Sequence, residues 1–81
     1  MGILSNISGK DAVKVFCKIG YYLDHQQGSH MILHNEQDGY PPICIPNHKE
    51  IAPGLLSAQI KIAKLTVEEF NIIRKKKKII V

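Results

Sequence analysis

Tryptophan is absent from this chain, and the other aromatic residues are few, three Tyr and two Phe. Proteins that grip single-stranded nucleic acid by stacking its bases need several exposed rings, so shape-based or nonspecific binding is favoured over that mode. Cysteine is equally scarce. Cys17 and Cys44 stand far apart, without the close pairing of a zinc site or the density of a secreted disulfide scaffold, and two reduced, half-buried thiols are expected. No apolar run approaches the roughly 20 residues that cross a bilayer, and the N-terminus lacks the charged-then-apolar order of a signal peptide. The expectation is a soluble cytoplasmic protein with no membrane partner. At 81 residues, the chain has room for a single domain spanning 1–81 around a small core.

Acidic residues are the minority, 7 against 11 Lys and Arg, for a formal net charge of +4. That excess is local. Five cations form one run, Arg74, Lys75, Lys76, Lys77 and Lys78, and without it six cations face seven acids. Attraction for a polyanion such as RNA therefore rests on this run or on small clusters in a near-neutral body. The bland alternative is a solvated tail that keeps the chain soluble.

The segment "SGKDAVKVFCKIG" predicts a first helix, capped by Ser8 and favoured at its positive end by Asp11. Ala12, Val13, Phe16 and Cys17 share its apolar face, and Lys10, Lys14 and Lys18 recur every four residues on the solvated one. Gly20 supplies a left-handed stop. "YYLDHQ", "SHMILHN" and "YPPICIP" then read as an antiparallel meander, with turns at Gln27-Gly28 and around Asp38-Gly39. Pro41, Pro42 and Pro46 remove backbone donors, which makes the third strand short and places it at an edge. "APGLLSAQIKIAKL" predicts a helix that starts at Pro53 and carries a stripe of Leu56, Ile60 and Ala63, widened by Leu55 and Ile62. Thr66 and Glu69 stand at capping-box spacing before a short C-terminal helix. Ile79, Ile80 and Val81 extend that helix, pack back or fray. The fold class is α+β: helix, three-stranded antiparallel β-meander, helix, with the short helix appended.

Histidine is concentrated where the other special residues are not. "HQQGSHMILHN" places His25, His30 and His34 within eleven residues around a Gly-Ser pair. A turn at Gln27-Gly28 would set His25 across from His30, and a second turn centred near Gln37-Asp38 would set His30 level with Ile45 or Pro46. His48 would then lie just past the third strand, at the edge that holds His30. Convergence of His25, His30 and His48 is the expectation, although a slip of one residue would reverse the faces.

Helix, three strands, helix is also the order used by double-stranded-RNA-binding domains. The segments "SGKDAVKVFCKIGYYLDHQQGSH", "DGYPPICIPNHKEIAPGLL" and "AKLTVEEF" together resemble the HicA family of toxin–antitoxin ribonucleases over roughly residues 7 to 70. Its most specific parts are the Gly-Ser-His turn and the Pro-x-His that precedes a Gly-Leu-Leu helix start. The resemblance implies a double-stranded-RNA-binding-like fold, cleavage of mRNA without a metal or other cofactor, and neutralisation by a HicB-type antitoxin. It also implies a catalytic role for His30, which matches the family's Gly-Ser-His histidine.

Metal-independent cleavage of RNA needs a deprotonated 2′-hydroxyl, a protonated leaving oxygen and a stabilised phosphate. Imidazole exchanges protons near neutral pH because its reference pKa is about 6.5. His30 is the candidate for that transfer, as acid or as base, with His48 as a possible helper. Gly28 and Ser29 offer a tight backbone that approaches phosphate closely, and Lys49 offers a cation. His25 and His34 read as surface histidines. Two other readings stay open: zinc held by His25, His30 and His48, and a noncatalytic RNA-binding module that only holds phosphates.

Overall fold

A computed structural model of the chain describes Leu4 and residues 6–75. Lys76, Lys77 and Lys78, proposed for RNA binding, lie outside the described residues, as do Ile79, Ile80 and Val81.

Ser8 opens the first helix as its side chain predicts, accepting the Asp11 N–H at 3.1 Å, and α1 runs Gly9–Cys17. Gly9, Ala12, Val15 and Phe16 face inward. Cys17 was expected on that face and is exposed instead. Val15 and Cys17 flank Phe16 by about 100° in opposite directions, and the core takes the Val15 side. Cys44 is half-buried, and both thiols are free.

β1 (Tyr21–Gln27), β2 (His30–Asn35) and β3 (Ile43–Pro46) form the antiparallel sheet in that order. Met31, Leu33, Ile43 and Ile45 are buried beneath the helices. By the alternation of strand side chains, His30, Ile32 and His34 take the opposite face. The third strand is short and at an edge, as its prolines require. It begins at Ile43 rather than Tyr40, because Pro41 and Pro42 cannot donate to a ladder. Its exposed edge is partly covered: Oε1 of Gln59 accepts the Cys44 N–H at 3.1 Å.

α2 (Pro53–Ile62) buries Leu56 and Ile60, with Ala63 buried just beyond its end. Leu55 and Ile62 do not widen the stripe; they remain 41% and 37% exposed. α2 lies against β3, and among the described residues no further strand lies beyond that last one to cover them. The helix closes in a Schellman arrangement, with Leu65 N–H donating to Ile60 O at 3.0 Å and Lys64 N–H to Lys61 O at 2.9 Å. Lys64 holds the left-handed position, φ +63°, where glycine is usual. Its ammonium sits 5.0 Å from the Tyr40 ring centroid, a cation–π contact that offsets part of the backbone cost.

α3 (Val67–Lys75) begins with the predicted capping box: Thr66 Oγ1 accepts the Glu69 N–H at 3.0 Å, and Glu69 Oε1 accepts the Thr66 N–H at 2.9 Å. Phe70 holds this helix down. Its ring lies 5.4 Å from Phe16, which meets Tyr21 edge-on at 6.0 Å. None of the described helices is long and apolar enough to cross a membrane.

Gly9 sits where α1 closely approaches the end of β3. A Cβ there would strike the Pro46 carbonyl oxygen and stand 3.0 Å from Asn47 Cα. Only glycine lets α1 start directly against the end of β3. Gly9→Ala should cost about 1–3 kcal/mol through overpacking, despite alanine's better helix propensity, and urea denaturation checks this as a lowered midpoint.

Candidate active site

The hairpin between β1 and β2 closes on Gly28-Ser29. Gly28 has φ +59° and Ser29 is not in the left-handed region, the glycine-first pattern of a type II′ turn. A turn at Gln27-Gly28 would have put the glycine second, and the register differs accordingly. Gln27 pairs with His30, Gln26 with Met31 and His25 with Ile32. His25 is therefore not opposite His30, as expected, but diagonal to it on the same face. Shifting the turn centre by one residue moves each partner by two and leaves the faces unchanged.

A bulge between Leu23 and His25 then sets Asp24 out of the ladder. Its carboxylate takes up the other two histidines of the cluster: Oδ2 lies 2.6 Å from His25 Nδ1 and 4.0 Å from His34 Nε2. The His34 ring lies 6.4 Å from that of Tyr22. His25 and His34 thus belong to an exposed acidic pairing, consistent with their reading as surface histidines. No group of three or more His, Cys, Asp or Glu among the described residues is arranged to hold a metal, and His25, His30 and His48 do not assemble as a ligand set.

His30 is the first residue of β2, exposed, and pairs with Pro46, one of the two positions that the second-turn register allows. Among the described residues, no hydrogen bond or ion pair engages its ring. The turn before it is braced on both sides: Gln26 Nε2 donates to Gly28 O at 2.9 Å, and Asn47 N–H donates to Ser29 O at 2.6 Å. The second bond ties the hairpin turn to the chain leaving β3. His30 and His48 follow directly after its two residues.

The His48 loop is strapped from the other side as well. Gly9 N–H donates to His48 O at 2.9 Å, and Ile51 N–H to Ile7 O at 2.8 Å. These bonds shape an open hollow of about 220 Å³ lined by Ser8, Lys10, Asn47, His48 and Lys49. His48 and Lys49 both line this hollow, while His30 lies across the Ser29–Asn47 bond. Apart from its chain neighbours, no described residue comes within 4 Å of a Cβ position on Gly28, so the turn is open to an approaching ligand. Ser8 and Lys10 were not proposed for the site. Their signal was the helix start itself, whose apposition to Asn47 depends on Gly9.

Arg74 and Lys75, proposed for RNA binding, do not reach this hollow. They line a separate cleft of about 430 Å³ with Asp11, Lys14, Val15 and Lys18.

Residues 9–65 match the family model for the HicA toxin of bacterial toxin–antitoxin systems. The chain belongs to the HicA toxin family. No curated protein and no solved structure gave a significant match. The HicA match runs from Gly9, at the close approach to Pro46, through the Gly-Ser-His turn and α2 to Leu65, just past the Schellman closure. A HicA chain is the toxin of a toxin–antitoxin pair, a class that implies an antitoxin as its counterpart. α3 lies beyond the matched residues, and so do Arg74 and Lys75.

Proposed function

We propose that this HicA chain is an endoribonuclease that cleaves mRNA in the cytoplasm by metal-independent proton transfer at His30, assisted by His48. The observation that carries this reading is the Ser29–Asn47 backbone bond at 2.6 Å, which holds an exposed, unengaged imidazole beside the loop of a second imidazole and Lys49. Family membership supports ribonuclease-type activity, and the order helix, meander, helix is one that double-stranded-RNA-binding domains share.

In this reaction the 2′-hydroxyl loses its proton to one imidazole and attacks the adjacent phosphorus. The bond to the 5′-oxygen breaks, and that oxygen takes a proton from the other group. Lys49 and Lys10 supply positive charge where the crowded phosphate develops its own negative charge. Gly28 and Ser29 let the substrate backbone come close. A HicB-type antitoxin neutralises the toxin by covering the His30 edge of the sheet.

Cleavage of a long RNA should proceed at the same rate in strong chelator, leaving a 2′,3′-cyclic phosphate on one fragment and a 5′-hydroxyl on the other. Loss of activity in chelator with recovery on adding zinc would overturn the mechanism. A chain that binds RNA and never cuts it would establish the noncatalytic module instead.

A further inference from the structure

Lys10, Lys14 and Lys18 recur at every fourth position of α1 and its cap, and all three are exposed. At 1.5 Å of rise per residue, they stand about 6 Å apart along the helix axis, a step comparable with that between neighbouring phosphates on a strand. The fold continues this row at both ends. Lys10 lines the hollow of His48 and Lys49, and Lys14 and Lys18 line the cleft with Arg74 and Lys75.

The α3 contribution depends on packing. Phe70 against Phe16 seats the helix on α1, and Lys18 Nζ donates to the Ile73 carbonyl at 3.5 Å, next to Arg74. Four cations therefore gather in one cleft of about 430 Å³, and Asp11 is the only acid among its described lining residues. A concave surface with that imbalance concentrates anions.

We propose that Lys10, Lys14 and Lys18 of α1 and its cap, with Arg74 and Lys75 of α3, form a track for the phosphate backbone of single-stranded RNA, leading from the α1–α3 cleft to the His30 and His48 edge. The proposal rests on the ribonuclease reading and adds where the strand lies on either side of the cut. RNA is favoured over an acidic protein because the cationic row is regular, runs along one helix and ends beside the proposed chemistry. The track also gives the start of the basic C-terminal run a place in the fold.

The test measures affinity for a short 2′-O-methyl oligoribonucleotide, which lacks the attacking hydroxyl, by fluorescence anisotropy at several salt concentrations. Cleavage of unmodified RNA by the wild-type chain is followed in parallel. Lys14→Gln/Lys18→Gln should flatten the log–log salt slope by about 1.4 and weaken binding roughly 25-fold near 0.1 M salt, at about 0.7 per lost phosphate contact. Lys10→Gln/Lys14→Gln keeps the Lys18–Ile73 contact and should flatten the slope as much. Lys61→Gln, on the exposed side of α2, should leave it unchanged.

An unchanged slope in both double variants, with wild-type cleavage intact, would overturn the track and leave the ribonuclease reading standing. The same unchanged slope with lost binding of an acidic antitoxin would overturn it by assigning the cleft to protein. A wild-type chain that neither binds nor cuts RNA would remove the ribonuclease reading and the track with it.

Discussion

His30→Ala should lower RNA cleavage by about 10²- to 10⁴-fold, the range that a positioned general acid or base contributes. The fold should survive. His30 is exposed and its ring has no hydrogen-bond partner among the described residues, so substitution should shift stability by no more than about 0.5 kcal/mol. RNA affinity should also be nearly unchanged, because phosphate binding rests on cations elsewhere. Single-turnover cleavage and anisotropy on one preparation separate these quantities. Undiminished cutting by the variant would remove His30 from the mechanism. His48→Ala offers a useful contrast, since His48 lines the hollow with Lys49 and its backbone carbonyl, which the substitution keeps, holds α1 in place. If the two imidazoles share the proton transfers, the double variant should be little worse than the more damaging single one.

Phe70→Ala should be the most destabilising of the substitutions considered, at about 3–5 kcal/mol, a typical cost for emptying a buried phenylalanine site. Its side chain is fully buried against Phe16, in a chain small enough that such a loss approaches the total stability of many domains. Urea denaturation followed by circular dichroism should show the midpoint fall sharply, while Phe70→Leu retains most of the stability. The functional consequence follows from the same contact. Loosening α3 separates Arg74 and Lys75 from Lys14 and Lys18, so residual folded protein should bind RNA with a flatter salt dependence. A Phe70→Ala chain as stable as the wild type would show that α3 is not anchored through this ring.

Every element of the architecture was legible before folding, because each is written in local chemistry. Ser8 and the Thr66–Glu69 pair carry their own caps, the prolines confine β3 to a short edge strand, and Leu56, Ile60 and Ala63 stand at the spacing of a buried helical stripe. The level of His30 was legible to within one residue, Ile45 or Pro46, since it depends only on the second turn's centre. The position of His25 was not. Placing the turn one residue early was enough to slide it from diagonal to opposite, and the bulge at Asp24 leaves no signature in a run of polar residues. Long-range packing supplied the rest, by bringing together segments remote in sequence. The Gly9–His48 bond assembles the hollow from two separate segments, the Ser29–Asn47 bond sets the His30 turn beside it, and the Phe16–Phe70 contact converts part of a basic run into one wall of a cleft. Periodicity reveals which faces are apolar or charged, but which charged faces come to lie side by side depends on how the helices pack, and packing is settled by long-range contacts that no local pattern records.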